Sequence, residues 1–435
     1  MIRRLIIAAV MAALATPVFA QDVSPSQAPA RAGHFTYQFG LDYMLQASAR
    51  RDYPFHDQTF TDDESFVWWR LRPRFAARSR HVDLVVEGQD THARTEAAEG
   101  AFGTRKAWLD LLNAYVDVKN LKGATVRVGR QQADFEVLGR MLRTSDFVAV
   151  IRSFDVVSTT WQNKTTDVRA FAMKPVDNLP SSFNTQKDGE YLWSVYGRRT
   201  LAPRTAAQSY VIARHNDADG TTVVRDERGG TGDADVYAWL LQFEGPTPSR
   251  YVTWTAETVI ERGRWAGDDV RAWGMFLRTD IALGATGHTI DIRYNQTSGD
   301  KERGDGVRGQ FDTFYGAANF YGALGQFRGA NLKNFNVGGL LSLVKGRRPL
   351  TMNWRYWNSR LNTRADLWHG VINPSFSDPA ATSSLAGHEV ASLLSWQVTP
   401  KTLIRTGYFQ FVPGPYATKA EGRPYELRLQ VIGRL

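Results

Sequence analysis

Residues 35–50 read FTYQFGLDYMLQASAR, and almost every second position is apolar. Along an extended chain Phe35, Tyr37, Phe39, Leu41, Tyr43, Leu45, Ala47 and Ala49 face one way. Thr36, Gln38, Asp42, Gln46, Ser48 and Arg50 face the other. A long strand with one greasy and one polar face suits a wall between lipid and water. The same rhythm returns in 67–78, where Val67, Trp69, Leu71, Phe75 and Ala77 oppose Arg70, Arg72, Arg74 and Arg78. It returns again near the end, where Tyr425, Leu427, Leu429 and Val431 alternate with Glu426, Arg428 and Gln430.

Between these, strands are expected near 81–90, 108–118, 124–131, 154–162, 167–174, 190–198, 207–215, 235–244, 251–261, 270–283, 288–297, 333–344, 350–359, 387–398 and 402–411. The links between them alternate as well. Those at 78–80, 119–123, 163–166, 199–206, 245–250, 284–287, 345–349 and 399–401 are short. Those at 50–65, 91–107, 132–153, 175–189, 216–234, 262–269, 298–332, 360–386 and 412–423 are longer and rich in charge, Gly or Pro. Tight turns at one end and long loops at the other describe an all-β protein, a transmembrane antiparallel β-barrel with periplasmic turns and extracellular loops. The count is eighteen strands over residues 34–435, which puts both termini on the periplasmic side. A barrel of that size keeps an open lumen.

The first twenty residues set the compartment. Arg3-Arg4, the apolar run from Leu5 to Leu14 and the small-residue end Val18-Phe19-Ala20 form a signal peptide over 1–20. Residues 21–33 form a flexible lead-in. The expected location is the bacterial outer membrane. The chain is basic, with a formal charge of +9, and has no cysteine, which excludes disulfide and thiolate chemistry. Its mean hydropathy of −0.36 fits a barrel whose polar inner residues offset the apolar outer ones. Aromatic residues at strand ends, among them Trp69, Trp161, Trp193, Trp239, Trp273 and Trp396, suit the two headgroup levels.

Catalytic signatures are absent: there is no G-x-S-x-G, H-E-x-x-H or phosphate-binding loop, and the eight histidines are scattered. The reading is not an enzyme and needs no cofactor. The stretch His215 to Gly220 faintly resembles a calcium loop, with Asp217, Asp219 and Asp226 as weak candidate ligands. His215 stands where an Asp belongs, and a solvated turn is the simpler reading.

Arginine on polar faces is the informative pattern. Arg70, Arg72 and Arg74 form a ladder, and Arg127, Arg169, Arg278, Arg293, Arg355 and Arg428 take polar-face positions elsewhere. An arginine facing lipid at mid-membrane costs roughly 2–4 kcal/mol, so these are expected to face the lumen. They either pair with Asp83, Glu87, Glu257, Glu261 or Asp291 and stiffen the wall, or form a track for an anion. Trp357 is a candidate for stacking on sugar faces. The segments 298–332 and 360–386 are expected to fold inward or pack on the rim, narrowing the pore.

Several motifs together resemble the alginate export channel family of Gram-negative outer membranes. They are Ala114-Tyr115 with Val126-Arg127-Val128-Gly129-Arg130-Gln131, then Arg152-Ser153-Phe154-Asp155. Phe314-Tyr315-Gly316, Gly329-Ala330-Asn331-Leu332-Lys333-Asn334, Gly387-His388-Glu389 and Pro413-Gly414-Pro415-Tyr416 add to these. Where that family carries Tyr-Gly after G-R-Q, this chain has Asp134-Phe135-Glu136. The resemblance implies an eighteen-stranded monomer with an arginine-rich conduit for a polyuronate, carried over to Arg74, Arg127, Arg130 and Arg152. The expected partners are outer-membrane lipid, an acidic polysaccharide or oligosaccharide, and periplasmic export components, without nucleic acid. The alternatives are a general anion-preferring porin or a barrel enzyme or surface-binding protein.

Overall fold

Strand pairs with strand around the whole molecule until the last meets the first. The structure, a computed structural model, describes residues 35–52, 64–95, 107–133, 140–144, 148–249, 251–316, 320–370, 375–420 and 422–435. The expected signal peptide and lead-in lie outside the described residues. The strands are β1 (Thr36–Arg51), β2 (Glu64–Arg78), β3 (Val82–Thr95), β4 (Ala107–Leu121), β5 (Ala124–Gln131), β6 (Phe154–Gln162), β7 (Thr166–Asp177), β8 (Thr185–Gln186), β9 (Glu190–Ala202) and β10 (Thr205–Asn216). They continue as β11 (Ala234–Pro246), β12 (Val252–Trp265), β13 (Asp268–Ala282), β14 (Thr289–Thr297), β15 (Val307–Arg308), β16 (Leu332–Val344), β17 (Leu350–Leu361), β18 (Leu385–Thr399), β19 (Thr402–Pro413) and β20 (Tyr425–Arg434).

The two-residue strands β8 and β15 lie within long connections, and the other eighteen form one antiparallel barrel. It closes where β1 pairs with β20, from Asp42↔Arg434 to Arg51↔Tyr425. Leu41 and Leu435 then exchange backbone hydrogen bonds of 3.2 and 2.9 Å. No described helix is long and apolar enough to cross a membrane. Crossing by strands satisfies every backbone group within the wall.

All eighteen expected segments coincide with barrel strands. One expected long connection does not exist: β12 runs to Trp265 and β13 begins at Asp268, joined by Ala266 and Gly267 alone. Residues 262–269 read as a loop because they are crowded with charge. In the fold they extend a hairpin whose Arg264, Asp269 and Arg271 project outward, exposed.

Period-two alternation sorts each strand into two faces. On the outer face Val195, Val211, Trp239, Ile260 and Trp273 are successive partners across five strands. Trp239, Ile260 and Trp273 are among the exposed large apolar side chains, with Leu277 further along β13 and Phe335, Tyr356, Tyr408 and Leu427 further round. A continuous apolar outer face is what acyl chains cover. The opposite face holds the buried core, which lies inside the barrel. There Phe154, Met173, Tyr210, Ile212, Val259 and Phe276 pack with Phe311, Tyr321, Phe327 and Trp368 from long connections.

Candidate functional site: the barrel lumen

β2 shows how the wall presents cations. Arg70, Arg72 and Arg74 share the face opposite exposed Leu71, so all three point inward. Arg70 is buried and donates to the carbonyl of Val148 at 2.6 Å. Arg72 reaches Asp42 of β1 at 2.8 Å and Glu87 of β3 at 3.0 Å. Arg74 stays exposed and, among the described residues, meets no carboxylate.

Arg127, Arg169, Arg278, Arg293, Arg355 and Arg428 are held by short ion pairs. Arg127 grips both oxygens of Asp117 at 2.6 and 2.8 Å and lies 3.8 Å from the Tyr115 ring centre. Arg169 binds Asp167, two residues back on the same face, at 2.6 Å. Arg278 binds Asp280 in the same way. Two carboxylates each serve two guanidiniums. Asp291 holds Arg293 and Arg355, both at 2.6 Å. Glu426 holds Arg50 at 3.0 Å and Arg428 at 2.7 Å. A carboxylate shared in this way leaves one net positive charge at each place.

Arg130 departs from the expected set. It lies in the row of exposed Val128, three residues from Arg127, and an odd spacing turns the two to opposite faces. Its partner is Asp155 of β6, at 2.8 Å. Arg152, just ahead of β6, lies over the Tyr315 ring at 4.7 Å and is exposed. Trp357 points inward but is only 4% exposed, so no sugar can stack on it.

Two long connections enter the barrel. From 132–153, Arg140 meets Glu257 of β12 at 2.9 Å and covers Phe276 of β13 at 4.0 Å. From 298–331, Phe311 packs on Phe276, and Tyr315 Oη donates to Glu190 Oε1 at 2.6 Å. Asp312 pairs with Arg214 at 2.5 Å, and its backbone N–H donates to Glu261 at 2.9 Å. Burial pushes the Asp312 carboxyl up, but Arg214 and Arg308 together outweigh it and leave its pKa below the ordinary value. Burial, with Glu257 nearby, pushes Tyr321 up to about 12 against the pull of Arg140. The 360–386 segment locks onto 298–331. Trp368 stacks on Phe327 at 4.9 Å and donates to the carbonyl of Gln326 at 2.7 Å. Phe327 and Trp368 both also meet Phe411 of β19, at 6.0 and 5.9 Å, so the two segments lie against each other and against the wall.

The acid partners Arg140–Glu257 and Arg214–Asp312 were not foreseen as pairs, since each links residues about a hundred positions apart. Glu257 and Glu261 carried the one available signal, a carboxylate at a polar-face strand position. The calcium candidates are not brought together. His215 is held between Asp235 and Asp217 at 2.6 and 2.7 Å, while Asp226 caps its own turn through the N–H groups of Arg228 and Gly230. Among the described residues no group of three or more His, Cys, Asp or Glu converges as a metal site.

A closed barrel with an apolar outer face and a polar inner one is the architecture of an outer-membrane channel. The chain belongs to the alginate export family, whose model matches residues 36–429. No curated protein matches the chain. Among solved structures it is similar to OccAB1 of Acinetobacter baumannii, with a TM-score of 0.62 and 13% identity over 94% of this chain and 99% of that one. It is also similar to OccD3 (OpdP) of Pseudomonas aeruginosa, with a TM-score of 0.61 and 12% identity over 93% of each chain. At such identities the likeness speaks for the fold alone.

Proposed function

We propose that the barrel is a passive channel for an anionic saccharide, an alginate-like polyuronate or its fragments, moving along inward arginines. Short turns then face the periplasm and long loops the exterior. The observation that carries this reading is a set of inner-face arginines that outnumber the carboxylates beside them. Asp291 and Glu426 each serve two arginines, and Arg74 and Arg152 stand exposed with no carboxylate among the described residues. Paired arginines keep their fork rigid, and the uncommitted ones are free to take a uronate carboxylate bidentately. Several moderate sites along a wall permit movement where one tight site would hold the chain.

The test is the reversal potential of the purified channel in planar bilayers under a salt gradient. The wild type is expected to prefer anions, and Arg74→Glu with Arg152→Glu is expected to shift the potential toward cations. Cation preference in the wild type, or no shift in the double variant, overturns the proposal.

A further inference from the structure

We propose that the outer wall at its long-loop end binds the phosphate groups of an outer-leaflet glycolipid through Arg262, Arg264, Arg271, Lys333 and Arg360. This rests on the orientation given above, with the long loops outside.

The placement follows from register. Tyr237, Arg262 and Arg271 are successive partners across β11, β12 and β13, one outward step beyond the row of Trp239, Ile260 and Trp273. Further round, Lys333 of β16 and Arg360 of β17 are direct partners, Lys333 one step beyond exposed Phe335 and Arg360 two beyond exposed Tyr356. The cations therefore begin where the apolar face ends, at the depth of lipid headgroups.

These positions carry a cost that calls for an anion. Arg262 faces Arg271 directly, and Lys333 faces Arg360, and like charges opposite one another destabilise a strand pair. Neither pair is fully neutralised. Among the described residues Lys333 and Arg360 have no carboxylate partner. Asp269 lies a loose 3.6 Å from Arg271 and 4.0 Å from Arg264, both of which are more than 60% exposed. The other nearby carboxylate, Asp235, is taken by His215. Arg262 is fixed along the wall by donating to the carbonyls of Glu261 and Ala272 at 2.6 and 3.4 Å. A phosphate seated between facing guanidiniums accepts from both and removes their repulsion. Its acyl chains would lie on the aromatic row directly beneath, so one amphiphile satisfies both features.

The experiment uses the full barrel purified in a neutral detergent. Thermal unfolding and native mass spectra are recorded with added diphosphoryl lipid A, with the same lipid after removal of its phosphates, and with inorganic phosphate alone. The wild type is expected to retain the diphosphoryl lipid and to unfold several degrees higher with it than with either control. Arg262→Ser, Arg271→Ser, Lys333→Ser and Arg360→Ser combined should weaken retention more than about tenfold, since each removes a cation at headgroup level. Arg360→Gln alone should show a smaller loss, and Arg199→Ala, exposed at the opposite end, should bind as wild type. Equal retention of the two lipids, equal protection by inorganic phosphate, or an unchanged combined variant overturns the proposal. The readout does not involve the pore, so ion selectivity and lipid retention stand or fall separately.

Discussion

Tyr315 Oη donates to Glu190 Oε1 at 2.6 Å, tying the middle of the 298–331 segment to the first residue of β9. A segment that long would otherwise sample many conformations above the barrel. This bond, the parallel bridge between Leu142 and Tyr315 and the edge contact of Tyr315 with Phe154 fix it against the wall. Replacing Tyr315 with Phe should keep the packing and remove one buried bond, costing roughly 1 kcal/mol. The expected result is a noisier open channel in single-channel recordings, with unchanged selectivity.

Glu389 anchors the same segment from β18. Its Oε1 accepts from the N–H of Ala323 at 2.5 Å and of Leu324 at 3.1 Å. Glu389→Ala leaves two buried donors without an acceptor, a loss of roughly 1–3 kcal/mol each at most. The barrel should still form, and limited proteolysis should cut 320–328 faster than in wild type.

Removing residues 303–328 should raise single-channel conductance, because Phe311, Tyr315, Tyr321 and Phe327 leave the interior with it. An unchanged conductance would show that the ions pass elsewhere.

Acid should loosen the inserted segment. Asp312 has a folded pKa below its ordinary 3.8, so its contribution is present above that value and is lost as the pH falls through the folded one. Protonation breaks its pair with Arg214. Thermal stability should therefore drop below about pH 4, and Asp312→Asn should flatten that part of the profile.

On the outer face, Trp273→Arg should cost roughly 2–4 kcal/mol if its level lies near the bilayer centre, and less near the headgroups. Urea unfolding in lipid vesicles measures that cost and so reports the depth of the row.

The wall was legible in the sequence because period two is a local signal: Phe35 to Ala49, or Arg70 to Arg74 against Leu71, announces its face without reference to any partner. The interior was legible only in part. Counting residues on polar faces found Arg72, Arg127, Arg355 and Arg428 and also named Glu87 and Asp291, which hold Arg72 and Arg355, but did not assign acid to arginine. Asp117 to Arg127 spans one tight turn, while Arg214 to Asp312 depends on where a long connection folds. Arg130 was misplaced by motif likeness where plain alternation from Val128 would have turned it outward. Residues 262–269 misled because charge on an outward hairpin tip resembles charge in a loop.

The seam between β1 and β20 has a consequence for assembly. Residues at opposite ends of the chain must find each other before the cylinder exists, so ring closure is among the most distant pairings the chain can make. Such contacts form late and slowly. Until Tyr425–Arg434 is in place, β1 and β19 each present an open edge of unpaired backbone, a template for other chains. A chain stopped before Tyr425 would therefore aggregate rather than form a smaller ring, and both edges need shelter until the final strand arrives.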